Sequence, residues 1–179
     1  KINFSPRVNI DFDLPFQIGK IIFNGGRYFQ NPPEKYLGLV EDDNLESVRA
    51  EQYSLSYEKL LNESTKLSVS IYNKKYSHAP IVLSDDNTAS PAFLMDKSIT
   101  FNQIKSEGNA EARGIEFLIE KKRAENFYGH VGGSLFNSMY VDYQGIERNR
   151  DSNYKYILNL VGGYRPNNKW ELSLRWSLF

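Results

Sequence analysis

The chain has 179 residues, enough for one domain. Its 22 Lys and Arg balance 22 Asp and Glu, so net charge offers no argument for a nucleic-acid partner. With no cysteine it has no disulfide, zinc–thiolate site or thiol nucleophile, and with no long apolar run it has no transmembrane helix, which leaves a membrane barrel open because such strands average apolar and polar residues.

Aromatic residues are 14% of the chain, which favours strands. Phe4 to Leu14 sets Val8, Ile10, Phe12 and Leu14 against Arg7, Asn9, Asp11 and Asp13. A short corner at Leu14-Pro15-Phe16 leads into a second strand, Gln17 to Gln30, with Ile21 and Phe23 on its apolar face and a bend at Gly25-Gly26. Asn31 to Val48, with Pro32-Pro33 and Asp42-Asp43-Asn44, reads as a long loop. Arg49 to Leu60 is the third strand (Tyr53, Leu55 and Tyr57 against Gln52, Ser54, Ser56 and Glu58). Leu61 to Ser64 turns it into the fourth, Thr65 to Tyr76, with Leu67, Val69 and Ile71 on one face. Ser77 to about Glu107 reads as the longest irregular stretch.

The fifth strand, Asn109 to Lys121, sets Ile115, Phe117 and Ile119 against Glu116, Leu118 and Glu120. Lys122 to Asn126 is a charged turn. Phe127 to Tyr140 is the sixth strand, blurred by Gly129, Gly132 and Gly133. Val141 to Asn153 reads as a polar loop, and Tyr154 to Tyr164 as the seventh strand, with Tyr156, Leu158, Leu160 and Tyr164 opposite Lys155, Asn159 and Gly163. After Arg165 to Asn168 the last strand, Asn168 to Phe179, alternates most cleanly. Trp170, Leu172, Leu174, Trp176 and Leu178 face one way, and Glu171, Ser173, Arg175 and Ser177 the other. A half-buried strand of a soluble sheet shows the same alternation. Two further features favour a membrane barrel: connections alternate short and long throughout, and strands run to about ten residues or more against roughly five to six in soluble sheets.

The expected fold is all-β, an antiparallel up-and-down transmembrane barrel wall with short periplasmic turns and long extracellular loops. Trp170, Leu172, Leu174, Trp176, Leu178, Ile115, Phe117, Ile119, Leu67, Val69 and Ile71 are expected to face lipid. Arg7, Asp11, Glu58, Glu116, Glu120, Lys155, Glu171 and Arg175 are expected to face the lumen. Phe16, Phe127, Tyr164 and Trp170 would form a lower aromatic girdle; Tyr28, Tyr76, Tyr140 and Tyr154 would form an upper one.

Several local patterns resemble the barrel of TonB-dependent outer-membrane receptors, particularly the large Bacteroidetes-type ones. They are Phe4-Ser5-Pro6-Arg7, Gly26-Arg27-Tyr28-Phe29-Gln30-Asn31-Pro32-Pro33, Glu51-Gln52-Tyr53, Tyr57-Glu58-Lys59, Tyr72-Asn73-Lys74-Lys75-Tyr76 and Asn109 to Phe117 with its Ala112-Arg113-Gly114-Ile115-Glu116 core. The resemblance covers nearly the whole chain. It implies a barrel of about 22 strands around an N-terminal plug, of which this chain is about a third, from the later half. The implied partners are outer-membrane lipid, the plug, TonB through the missing N-terminal region, and a small nutrient: an iron chelate, cobalamin, glycan or peptide. Phe179 falls on the polar face, so the chain is expected to be cut within or just after a strand. A complete eight-stranded barrel with a structural or adhesive role, and a soluble antiparallel ligand-binding protein, are the alternatives.

Little points to catalysis. His78 and His130 are the only histidines and are expected at opposite ends, which disfavours a shared metal. Ser134 shares a strand face with His130 but lies too far along it to bond directly, which disfavours a hydrolase. The Asp-Asp-Asn runs at 42–44 and 85–87 could hold calcium but read more simply as turn chemistry. Arg148 and Arg150 could meet lipopolysaccharide phosphates or belong to an ordinary charged loop. No catalytic, metal or cofactor residue is assigned.

Overall fold

The computed structural model describes residues 3–31, 45–82, 104–124, 126–142 and 144–179. They form one antiparallel sheet. Its strands are β1 (Arg7–Asp13), β2 (Lys20–Gln30), β3 (Val48–Asn62), β4 (Thr65–Val82), β5 (Ile104–Ala124), β6 (Phe127–Val141), β7 (Glu147–Asn149), β8 (Tyr156–Asn167) and β9 (Trp170–Leu178). The order is β1-β2-β3-β4-β5-β6-β8-β9, with the short β7 folded back onto β6. Each long strand thus pairs with its sequence neighbours, and the sheet is open, with β1 and β9 at its edges.

Turn chemistry makes one end tight. The Asn62 side-chain oxygen accepts the Ser64 N–H at 3.0 Å, closing β3 onto β4. Asn167 does the same for Lys169 and Trp170 at 2.9 and 3.1 Å, closing β8 onto β9. The β1–β2 corner is a single 3-10 turn at Pro15–Gln17 that leaves Phe16 and Gln17 at positive φ. At the opposite end the strands outrun expectation. Ser77–Val82 and residues 104–108, expected as loop, extend β4 and β5 to 18 and 21 residues. Two register shifts, between Tyr76 and Ala79 and between Ala79 and Ile81, carry the pairing past Pro80. His78, expected in a loop, sits in this irregularity at φ 58, and the charged turn at 122–126 is also shorter than expected, since β5 runs to Ala124. The Asp-Asp-Asn runs lie outside the described residues.

Strand pairing decides the faces. Phe12, Ile21, Tyr57, Val69, Phe117, Gly133, Leu158 and Leu178 occupy one continuous register row. Ile10, Phe23, Leu55, Ile71, Ile115, Leu135 and Tyr156 form the next. Between them runs a row on the other face: Asp11, Ile22, Ser56, Ser70, Glu116, Ser134 and Ile157. Because every strand keeps its parity, the sheet has one apolar and one polar face. Little is buried between them. Among the described residues the buried cluster is Val48, Ala79, Ile81, Ala110 and Tyr140 at the long-loop end, with Tyr76 packed against it.

Candidate functional site: the two faces of the wall

The apolar face is open. Leu172 and Trp170 are more than 70% exposed and Leu174 is 62% exposed, so the last strand is not folded into a core of the chain's own. Ile115, Phe117, Ile119, Val69 and Ile71 are exposed on the same face, and Leu67 lies opposite Ile119. Aromatic rings fill the glycine gaps. A Cβ on Gly133 would meet the Phe117 ring at 2.5 Å, and one on Gly25 the Tyr53 ring at 3.1 Å. Phe127 stacks on Tyr164 with centroids 4.5 Å apart, and Phe16 at the tight turn is 93% exposed.

The polar face is a ladder of short hydrogen-bonding side chains between mixed charges. Ser70 donates to Ser56 at 2.8 Å and Ser177 to Asn159 at 2.7 Å. Lys66 lies 3.4 Å from Glu58, and Lys20 lies 3.6 Å from Asp13 and 3.9 Å from Asp11. Tyr128 hydrogen-bonds Glu171, which also faces Arg165. The Arg7 guanidinium sits 4.5 Å over the Tyr28 ring. Glu120, His130, Val161 and Arg175 share one register row. Two shallow grooves of about 260 and 280 Å³ meet at Ser70 and Glu116; Gln52, Tyr72 and Lys74 line the first, and Ser134 and Asn159 the second.

Arg7, Asp11, Glu58, Glu116, Glu120, Glu171 and Arg175 are therefore brought to one face. Lys155, expected within the seventh strand and facing the lumen, lies outside any strand. β8 begins one residue later, Lys155 sits at φ 67, and its carbonyl accepts the Phe136 N–H at 2.8 Å.

The expected upper girdle needs a larger correction. Tyr28, Tyr76 and Tyr140 share a register row with Ala50 and Ala110, which belongs to the polar face. Each stands five residues from an apolar-face residue of its own strand (Phe23, Ile71, Leu135), and an odd step reverses the face. Arg27, Glu51, Lys75, Glu111 and Met139 occupy the neighbouring row on the apolar side. That row was missed, although counting by twos from Ile71 or Ile115 leads to it.

Beyond β6 the chain builds an ordered platform, not the plain polar loop expected. Asp142 is 5% exposed; its carboxylate accepts the Gln144 and Ile146 N–H groups at 2.8 and 2.9 Å and Arg148 Nε at 2.5 Å. Burial pushes the Asp142 carboxyl up, but the bonds from Arg148 and the two amides outweigh it and hold the group below the usual carboxylate range. Asn153 donates to Asn149 at 2.7 Å and Asn137 at 3.0 Å, and accepts the Ser138 N–H. Arg150 lies 5.5 Å over the Tyr76 ring. His78 pairs with Glu46 at 3.6 Å. Among the described residues no group of three His, Cys, Asp or Glu could hold a metal.

Long strands in strict sequence order, tight turns at one end, and a sheet with one face apolar through its middle and the other mainly polar define the wall of an outer-membrane β-barrel. The chain matches the family described as TonB dependent receptor-like, beta-barrel, over residues 3–178, and it belongs to that family. Its place is accordingly the Gram-negative outer membrane. Among solved structures it resembles the FrpB iron transporter from Neisseria meningitidis (F3-3 variant), with a TM-score of 0.67 at 13% identity. That likeness takes in 98% of this chain and 26% of the transporter chain, so the chain spans about a quarter of that protein's length. No curated protein sequence matches significantly.

Proposed function

We propose that the chain is part of the single transmembrane barrel domain of a TonB-dependent importer that takes up a scarce nutrient, not an enzyme. Its apolar face meets lipid, its polar face meets the water and plug inside the barrel, and its long loops help to capture the nutrient outside. TonB supplies energy through an N-terminal region. The carrying observation is the constancy of the two faces across all eight long strands.

Magnitudes support lipid over water on the apolar face. Each large side chain gains about 1.5–3 kcal/mol on leaving water. More than a dozen are exposed on that face, which exceeds the roughly 5–15 kcal/mol net stability of a domain. The height agrees as well. On β5 the first charged outward residues flanking Ile115–Ile119 are Arg113 and Lys121. Eight steps at about 3.4 Å, tilted by about 40°, rise about 20 Å, close to the roughly 25 Å band of such barrels once the two long side chains reach outward.

The nutrient class stays broad: an iron chelate, cobalamin, a glycan or a peptide. The similar solved structure is an iron transporter, but the mixed charges of the polar face select no ligand. The narrower Bacteroidetes-type assignment rests on the Gly26–Pro33 and Ala112–Glu116 segments alone.

The test is the intact mass of the native protein in the outer-membrane fraction, traced by peptides of this chain, followed by uptake with and without TonB. A mass several times 20.7 kDa and TonB-dependent uptake are expected. A mass near 20.7 kDa would replace the importer with a complete small barrel, and recovery only in a soluble fraction would overturn both.

A further inference from the structure

We propose that the outward face of β4 and β5, just beyond the apolar band, binds the phosphate-bearing sugar headgroup of an outer-leaflet glycolipid. The inference rests on the lipid-facing reading above and adds a ligand to it. On β4 the outward residues run Leu67, Val69, Ile71, Asn73, Lys75; on β5 they run Ile119, Phe117, Ile115, Arg113, Glu111. β5 therefore changes from apolar to charged within two residues and β4 within four, by way of Asn73, at the long-loop end, where lipid tails give way to headgroups.

The site is a groove of about 430 Å³ that includes Glu51, Lys75, Glu111, Arg113, Asn137 and Met139. Its charges are not equivalent, and Glu147 of β7 adds a third carboxylate to its lining. Glu51 is already engaged by Arg27 at 3.0 Å and by Arg49, and Glu111 accepts from Asn73 at 2.5 Å. Lys75 and Arg113 have no hydrogen-bond or ion-pair partner among the described residues.

Lys75 pairs in register with Glu111, and Arg113 with Asn73, so the two cations are diagonal neighbours. Such positions lie about 7–8 Å apart, within converging reach of two long side chains. A phosphate carrying about −1.5 to −2 charges suits one bidentate guanidinium and one ammonium. The remaining groups suit sugar. Asn137 and the free valences of Glu111 can bond hydroxyls, while the carboxylates would repel a ligand made only of phosphates.

The test is native mass spectrometry of the full-length receptor extracted in mild detergent, counting retained phosphorylated glycolipid. Lys75→Gln with Arg113→Gln is expected to lower retention at least about tenfold. Lys74→Gln is the control: one residue away, it lies on the polar face 5.0 Å over the Tyr72 ring and is expected to leave retention unchanged. Equal retention in the double variant, or equal loss in the control, would overturn the site. Displacement by millimolar inorganic phosphate would identify a plain phosphate site and overturn the glycolipid. Undiminished binding of the dephosphorylated glycolipid would overturn phosphate recognition. Leu174→Arg separates the two readings. If it blocks membrane assembly while the double variant keeps its lipid, the band stands and the headgroup site falls. If it assembles normally, the lipid-facing reading itself fails.

Discussion

Asp142 shows how much of this wall depends on single polar residues at its rim. One carboxylate closes two backbone amides and a guanidinium into the platform that carries β7. Asp142→Ala would leave these donors without their acceptor, at about 1–3 kcal/mol, and hydrogen exchange should show faster opening of residues 144–149 with β6 unaffected. The same bonds give a pH dependence. The folded-state pKa is depressed, so the stabilisation is complete above the ordinary aspartate range and fades as pH falls through the folded value. Exchange protection of the platform should therefore fall on strong acidification, and Asp142→Asn should remove that dependence. Gly129 is a residue of the opposite kind. At φ +156 its place would put a Cβ 2.3 Å from the Val161 carbonyl oxygen, whereas Gly145 at φ +79 has nothing within 4 Å. Gly129→Ala should weaken β6–β8 pairing by about 1–3 kcal/mol, more than Gly145→Ala does, in heat-modified gel mobility or urea titration of the refolded receptor.

For strands, period-two alternation was the legible signal. All eight long strands and their order follow from it, and so does the division of their central residues between two faces, Lys155 and the row of Tyr28, Tyr76 and Tyr140 excepted. The strands' upper ends did not, because Pro80 and the polar residues around it interrupt the alternation. β4 and β5 continue through Ser77–Val82 and residues 104–108, with Ile81, Val82 and Ile104 among them, held by pairing with each other across two register shifts, and a sequence read one strand at a time has no view of pairing. The three tyrosines differ for a simpler reason: their chemistry and height suit a girdle, but an odd step from Phe23, Ile71 and Leu135 turns them to the polar face. The Ala112–Glu116 segment now has a physical account. Arg113 tops the apolar face, Ile115 begins it, and Glu116 belongs to the polar face. A Cβ on Gly114 would meet Phe136 Cβ at 2.7 Å and the Tyr72 hydroxyl at 2.9 Å. The sharpest test of strand identity is a neighbouring pair on β9. Leu174→Arg should cost roughly 2–4 kcal/mol of membrane assembly if that position lies at mid-plane. Ser173→Arg, on the polar face, should be mild. Equal effects on outer-membrane folding yield would remove the two-faced assignment.

At the scale of the whole wall the faces should trade places with water at a definable height. The chain lacks cysteine, so single cysteines can be introduced along β3 of the full-length receptor without interference from this part of it. Gln52, Ser54 and Ser56 belong to the polar face, and Tyr53, Leu55 and Tyr57 to the apolar one. A charged maleimide should label cysteines at the first set, where water has access, and a lipid-partitioning reagent should label the second. The alternation should then end at Glu51. It lies on the apolar side by register but within the charged row, so a cysteine there should react with the charged reagent although its parity matches Leu55. Parallel substitutions at Lys75 and Arg113 should behave like Glu51, tracing the upper border of the band from strand to strand. If position 51 instead follows positions 53 and 55 into the lipid-labelled class, the apolar band extends past the charged row. Those cations would then lie within the bilayer and need a different explanation.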